Sequence, residues 1–341
     1  MKRARRLIVL IVGAILSVVA VGGAWFVWRD LRHYAGPAEE QLSLTGLYSD
    51  IDTLTISPEV QLFAPQFQLW SDGAGKRRFL FLPEGARIDT SDPERWNFPI
   101  GARLWKEFER DGVVVETRML LKTGPEPADW DMAVYLWRDD RSDADKIAFS
   151  RADAGGTRHD VPGPRLCVEC HGDNDERRPL GFTLLQLPWD SDHMVSVTSL
   201  MSDRRLTHPP DQAPTIPGDE QTRAALGYLH ANCGSCHYQG STSVPSEVSL
   251  RLNLTIDTLA AAAETNAYLS TINQRPHTPG LGTAVLVAPG QPEASFLWRR
   301  MRIRDGGGWQ MPPLASEEVD QQGVAIVGAW IEQQSAASDR D

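Results

Sequence analysis

Positive charge is scarce in this chain. Its 341 residues include 34 Lys and Arg against 45 Asp and Glu, which gives a formal net charge of −11. The first 28 residues hold four of these bases and no acid, so the remainder carries −15. Binding to nucleic acid needs a basic face that neutralises phosphates, and this charge balance argues against it.

Several catalytic signatures are also missing. The sequence has no P-loop, no G-x-S-x-G element, no metalloprotease helix and no dinucleotide-binding fingerprint. Hydrophobic residues make up 41% and charged residues 23% of the chain, which is ordinary for a folded protein and excludes disorder throughout. A chain of this length is expected to form about two domains.

A long apolar run lies near the amino terminus. Leu7 to Trp28 contains no charged residue, follows a basic cluster and is closed by Arg29. As a helix this run would be about 33 Å long, enough to cross a hydrocarbon core. We expect residues 1–28 to be a single-pass anchor in the inner membrane, the alternative being a cleaved signal peptide and a soluble periplasmic protein. Either way the basic flank stays in the cytoplasm, and the bulk of the chain faces the periplasm.

The next segments have the pattern of an antiparallel β domain. Residues 29–43 are polar and predict a tether, and residues 44–165 alternate mostly with period two. The runs Ala102–Glu109 and Val113–Leu121 flank Asp111-Gly112, a strong signal for a β-hairpin. Further strands are predicted at Lys76–Leu82 and Trp130–Trp137.

The pattern changes after residue 165. Residues 166–220 are expected to be a separate attachment region, in which prolines keep 172–220 from forming long helices. Gln221–Ala231 and Glu317–Gln334 are rich in helix formers. Asp219 or Glu220 lies near the start of the first helix, and Ser316 is placed to cap the second. We therefore expect a helical domain over 221–335, followed by a frayed tail at 336–341.

Cysteine is rare, and its placement is informative. All four cysteines lie in two C-x-x-C-H motifs, Cys167 to His171 and Cys233 to His237. This motif attaches c-type haem, because two thiols three positions apart reach both vinyl groups and the next histidine binds iron. A Cys₄ zinc site and two structural disulfides are the competing interpretations. The sequence thus predicts two covalent haems, bound through Cys167, Cys170, Cys233 and Cys236, with His171 and His237 as iron ligands.

Residues 224–237 resemble the first helix and haem loop of class I cytochromes c. In that family a small residue and an aromatic residue on this helix pack against the last helix, which implies Gly227 and Tyr228 as the pair and Trp330 as their partner. The family's distal ligand is a methionine in a loop before the last helix. The resemblance therefore implies Met311, in Gln310–Leu314, as the second ligand of the second iron, with Met301 as a packing residue.

Residues 75–171 resemble the sheet-type cytochromes c′-β, in which an antiparallel sheet covers a haem that is often five-coordinate. This resemblance implies an open distal face at the first haem, with Lys106 and Arg118 as polar groups near the haem edge. A sixth ligand remains an alternative, and the candidates are His193, Met194, Met201 and His208. We expect His230 to face the surface or a haem propionate.

The whole exported chain, with its Leu69-Trp70-Ser71-Asp72 element, resembles a group of dihaem proteobacterial cytochromes that has no established reaction. The expected fold class is α+β multidomain, with an amino-terminal transmembrane helix, an antiparallel β domain and an all-α class I cytochrome c domain. The expected function is single-electron transfer between redox partner proteins of the periplasm or membrane. Acidic residues at 139–145 and 173–176 are interpreted as solvated loops or as a docking face for a basic partner. The alternatives are a haem enzyme or sensor for a small nitrogen or oxygen species, and a binding module that reports to an electron-transfer chain.

Overall fold

A computed structural model describes residues 36–172, 177–306, 308–314 and 316–334. These residues form the strands β1 (Tyr48–Asp50), β2 (Thr55–Ile56), β3 (Gln61–Phe63), β4 (Gly75–Phe81), β5 (Arg103–Arg110), β6 (Val113–Lys122), β7 (Trp130–Trp137), β8 (Ala144–Lys146), β9 (Arg151–Ala154) and β10 (His159–Val161). They also form the helices α1 (Val168–His171), α2 (Val197–Ser202), α3 (Glu220–Asn232), α4 (Asn266–Thr271), α5 (Phe296–Arg302) and α6 (Gln321–Gln333).

The largest element is a six-stranded antiparallel sheet with the order β3-β4-β5-β6-β7-β8. Its central hairpin joins β5 to β6 through Asp111 and Gly112, whose φ angles are +52° and +78°. Two consecutive positive φ angles are typical of the type I′ turn that Asp-Gly favours. The hairpin predicted at this dipeptide is therefore present, and the predicted strand over Trp130–Trp137 is present with the same bounds.

The two faces of the sheet bury different cores. On one face, Phe79, Trp105 and Met119 are cross-strand neighbours that pack with Leu42 and Leu47. On the other face, Leu80 and Leu104 pack against residues of the segment 182–206, including α2. Because side chains alternate along a strand, this second face also carries residue 78 of β4, residue 106 of β5 and residue 118 of β6.

Residues 36–43, at the end of the predicted tether, lie on the sheet. Leu42 is fully buried, and the Ala38 N–H donates to Asp131 at 2.7 Å. The Tyr135 hydroxyl donates to the Glu39 carbonyl, and the Lys146 N–H donates to that of Glu40. The apolar side chain of Leu42 and the free edge of β8 explain why this polar segment is ordered.

The helices α3 and α6 pack against each other at a close approach. A Cβ on Gly323 would lie 2.2 Å from Cζ of Tyr228, so the tyrosine ring occupies the space that a larger residue would need. Trp330 is 1% exposed in the same core. Gly227, by contrast, is covered by the ring of Phe67, 2.1 Å from where its Cβ would be. The class I resemblance implies that Gly227 and Tyr228 both pack against the last helix. Tyr228 does contact α6, whereas Gly227 contacts the segment before β4.

The last helix begins later than the sequence predicts. Its cap is Asp320, whose carboxylate accepts the Gly323 N–H at 2.9 Å, and not Ser316. Ser316 donates instead to the Pro312 carbonyl. The Glu318 N–H donates to the Asp72 carboxylate, and the Glu318 carbonyl accepts from Arg304. Because these backbone groups are bonded to distant residues, residues 316–319 do not join the helix.

The expected fold class is wrong. Helix makes up only 22% of the structure, in mostly short helices, and residues 221–335 do not form an all-α class I cytochrome c domain. Between α3 and α6 the chain consists largely of turns, short 3-10 helices and isolated bridges. Prolines at 245, 276, 279, 289 and 292 and many serines and threonines explain this, since both interrupt helices.

No helix within the described residues is long and apolar enough to cross a membrane. The predicted membrane segment Leu7–Trp28 and the tail 336–341 both lie outside those residues.

Candidate functional site

The first C-x-x-C-H motif follows the last strand of the β region. A 3-10 helix over Pro164–Leu166 leads from β10 into α1, which contains the motif. The Cys167 carbonyl accepts the N–H groups of Cys170 and His171 at 3.2 and 2.9 Å. One helical turn therefore carries both thiols and the imidazole, and Cys167 packs against the cluster of Val115, Val134, Ala154 and Val161.

His171 is held by the chain that follows it. Its Nδ1 atom is 2.8 Å from the Arg178 carbonyl, and the Arg178 N–H donates to the His171 carbonyl at 2.9 Å. This bond fixes the ring with a proton on Nδ1, so Nε2 carries the lone pair. Burial lowers the pKa of His171 to about 4, and the charges of Lys106 and Arg118 add to the effect. The ring is thus the neutral imidazole that binds metals.

The second motif begins where α3 ends. The Cys233 carbonyl accepts the N–H groups of Cys236 and His237 at 3.1 and 2.9 Å, which reproduces the turn of the first motif. A Cβ on Gly234 would lie 2.6 Å from the His230 carbonyl and 2.8 Å from Cα of Asn253. Glycine is therefore required between the two cysteines, because backbone atoms approach it from two sides.

His237 is 9% exposed, and its buried Nδ1 atom has no hydrogen-bond partner among the described residues. The Leu250 carbonyl faces the ring and raises its pKa. Burial and the charge of Arg300 lower the pKa by more than the Leu250 carbonyl raises it. The pKa of His237 is therefore lowered to about 4. Both motif histidines are therefore neutral and turned toward a backbone carbonyl.

The two motifs meet in space although 61 residues separate them in the sequence. The interaction between the Cys170 and Cys236 thiols raises the pKa of Cys170 and lowers that of Cys236. Cys236 also contacts the Glu169 carbonyl at 3.1 Å, and Ser243 donates to the same carbonyl at 2.8 Å. All four cysteines are free thiols. Sequence reasoning did not find this contact, because no pattern within either motif encodes it.

Met311 lies in a loop that is tied on both sides. Its N–H donates to the carbonyl of Arg300, the residue whose charge acts on His237. The Asp305 carboxylate accepts the N–H groups of Trp309 and Gln310, and the Gln310 side chain donates to Ser316. The Met311 side chain is half-buried and belongs to none of the hydrophobic clusters of the described residues.

Met301, the competing methionine, is 5% exposed inside the core that α3 and α6 share. It is therefore a packing residue, and its thioether is not available to a ligand site.

Lys106 and Arg118 both act electrostatically on the first motif, on Cys170 and on His171. Arg118 forms two hydrogen bonds with Glu116, at 2.8 and 2.6 Å, and His159 lies 2.8 Å from the same carboxylate. Burial raises the pKa of Glu116, but Arg118 and His159 outweigh it, and the net shift is downward. The carboxylate is thus ionised and fully engaged.

None of the proposed sixth ligands of the first iron has an interaction with the motif in the described residues. His193 is exposed, and Met201 packs against the core beneath the sheet. His208 is exposed and bonds to Thr207 beside Asp89, while the Met194 N–H is bonded to Ser191. His230 is not a surface residue, because it lines a cleft and accepts the Leu254 N–H at 3.0 Å.

The acidic cluster after β7 has structural partners. Asp143 accepts the N–H and hydroxyl of Ser43, Asp145 pairs with Arg138 at 2.6 Å, and Asp140 caps the turn at Ser142. These bonds favour the interpretation as loop residues over that of a docking face. Residues 173–176, the second acidic run, lie outside the described residues.

The residues at the two motifs fit c-type haem. Each offers two free thiols and one neutral histidine on a single turn, and the buried Nδ1 of His237 leaves Nε2 for a ligand bond. No group of three or more His, Cys, Asp or Glu side chains suited to a metal ion occurs within the described residues. Haem iron needs no such group, since the porphyrin supplies four of its ligands.

Comparisons of the chain with models of protein families, with curated proteins and with solved structures give no match.

Proposed function

We propose that the protein is a dihaem c-type cytochrome that carries single electrons. The first haem is attached at Cys167 and Cys170 with His171 on the iron, and the second at Cys233 and Cys236 with His237 and Met311. Each bound haem supplies an iron that changes its charge by one electron. The basic cluster and apolar run of residues 1–28 favour a location at the inner membrane with the bulk in the periplasm.

The contact between the two C-x-x-C-H turns carries this proposal, because the Glu169 carbonyl of the first turn accepts from Cys236 of the second at 3.1 Å. Two attachment turns that touch would hold their cofactors as neighbours, which would supply a path for single electrons without a mobile carrier. The fold supports both turns from separate elements, α1 after the sheet and the end of α3. The bonds from Glu169 to Cys236 and Ser243 keep these elements together.

Met311 would be the second protein ligand of the second iron, and ligation by a methionine and a histidine is associated with a higher potential. The Met311 N–H on the Arg300 carbonyl, and the bonds of the neighbouring Trp309 to Asp305 and of Gln310 to Ser316, fix the backbone at this residue. The second haem then suits the side that faces the electron acceptor, and redox proteins of the periplasm or membrane are the partners.

A haem count tests the proposal. The purified exported domain is expected to contain two haems per chain in a pyridine-haemochrome assay. The double variant Cys233→Ser with Cys236→Ser is expected to keep one haem, bound at the first motif. Two haems in that variant would contradict the attachment scheme, and Ser235→Ala, which alters the same loop but no thiol, is the control.

A second function, a haem enzyme or sensor with an open first haem, is supported by a different observation. None of the four candidate sixth ligands has an interaction with the first motif in the described residues, whereas Lys106 and Arg118 act on it. A high-spin signal with binding of CO or NO would favour this function, and two low-spin haems would favour electron transfer alone.

A further inference from the structure

A straight row of three basic residues crosses the sheet beside the first motif. Arg78 of β4 is directly opposite Lys106 of β5, which is directly opposite Arg118 of β6. Like charges in directly opposed positions destabilise a sheet. The adjacent row on the same face is apolar, with Leu80, Leu104 and Leu120, so the fold itself does not call for cations here.

One residue of the row is buried and the other two are half-buried. Arg78 is 5% exposed, and burial lowers its pKa to about 10. The ring of Phe108, itself 1% exposed, lies 4.6 Å from Nζ of Lys106 and 4.2 Å from Cζ of Arg118. An aromatic face attracts cations, but it does not neutralise them.

Negative charge near the row is already used. Glu116 binds Arg118 with both oxygens and also contacts His159. Within the described part of the chain, neither Arg78 nor Lys106 forms a hydrogen bond or an ion pair through its side chain. Buried charges normally have partners, because desolvation without compensation is costly. Among the described residues, therefore, neither Arg78 nor Lys106 has a counter-ion.

We propose that Arg78, Lys106 and Arg118 bind a small oxyanion beside the first haem. The inference deepens the proposed function and rests on it for the neighbouring haem. A guanidinium group matches two oxygens of a planar anion, and the lysine adds a point charge. The same chemistry has two sources, a free inorganic anion such as nitrite and the carboxylate of a haem propionate.

Calorimetry distinguishes these sources. Sodium nitrite is titrated into the purified haem-loaded protein, and the haem content is measured on the same sample. We expect binding that weakens about tenfold or more in Arg78→Gln and in Lys106→Gln, since each removes one charged contact. Arg103→Gln is the control, because Arg103 lies on the opposite face of β5 over the ring of Phe81 and is expected to leave binding unchanged.

Further outcomes separate the site from the haem and from packing. If nitrite does not bind, but Arg78→Gln and Lys106→Gln lower the occupancy or shift the potential of the first haem, the anion is a propionate and the site stands. The purified protein could also bind nitrite through Arg78 and Lys106 while its haem content shows that the first motif carries no haem. This result would support the anion site and contradict the proposed function. Lys106→Arg keeps the charge and is expected to keep affinity; a loss equal to that of Lys106→Gln would overturn the proposal. The absence of any nitrite or haem effect in all variants would overturn it as well.

Discussion

Two methionines ten residues apart illustrate how surroundings decide the role of a residue. Met301 is 5% exposed in the core between α3, α5 and α6. Met311 belongs to none of the hydrophobic clusters of the described residues, and its N–H donates to the Arg300 carbonyl. A thioether in a core fills space, whereas one in a held loop is free to bind a metal.

Replacing each methionine with alanine separates these roles. Met301→Ala is expected to lower the free energy of unfolding by about 2–5 kcal/mol, because a buried side chain leaves a cavity. Met311→Ala is expected to lower the potential of the second haem and open a coordination site. A redox titration and a denaturant series on both variants measure the two effects. Unchanged redox behaviour in Met311→Ala would exclude it as the ligand.

At the scale of elements, the packing of α3 on α6 depends on one small residue. Gly323 leaves the space that the Tyr228 ring fills, and burial raises the pKa of that tyrosine above its usual range. The Trp298 ring approaches Gly328 on the same helix, with Nε1 2.9 Å from where a Cβ would be. The two glycines let aromatic side chains reach the backbone of α6: Gly323 brings α6 against α3, and Gly328 brings it against α5.

A methyl group at the first of these positions tests the packing. Gly323→Ala is expected to destabilise the protein by about 1–3 kcal/mol, because the overlap with Tyr228 exceeds the gain in helix propensity. Gln322→Ala, on the exposed face of the same helix, is expected to change stability by less than about 0.5 kcal/mol. Thermal unfolding followed by circular dichroism compares them, and equal stability in both variants would contradict the close contact.

At the scale of the whole molecule, the sheet and the helical part are joined by polar bonds. The Asn232 side chain accepts the Trp70 N–H at 2.7 Å and donates to the Gln68 carbonyl at 3.1 Å. Arg110 of β5 pairs with Glu318 at 2.9 Å, and Glu94 accepts the Ile256 N–H at 2.7 Å. These bonds bring the end of α3, and with it the second motif, to the sheet that supports the first.

Removing one of these bonds is expected to uncouple the two parts. Asn232→Ala leaves backbone groups unpaired, so we expect a loss of about 1–3 kcal/mol and unfolding transitions that no longer coincide. Tryptophan fluorescence and circular dichroism at increasing denaturant report the two parts. Gln221→Ala removes a side-chain hydrogen bond that joins only α3 and α6, so we expect its two unfolding transitions to stay coincident. Coincident transitions in Asn232→Ala would show that apolar packing alone joins the parts.

The sequence determined the local features of this protein. Period two predicts the strands, Asp111-Gly112 predicts the hairpin, Asp219 is near the start of α3 as predicted, and the two cysteine motifs identify the candidate haem sites. Each of these depends on residues that are neighbours in the chain, where backbone preferences and side-chain spacing act directly.

Only the tertiary structure decided which distant residues meet. The contact of Cys236 with Glu169 depends on the packing of α3, and the opposition of Arg78, Lys106 and Arg118 depends on strand register. The later start of α6 and the irregular segment before it also follow from long-range bonds, such as that of Glu318 to Asp72. Local patterns do not encode such pairings, because they arise from the summed packing of segments far apart in the chain.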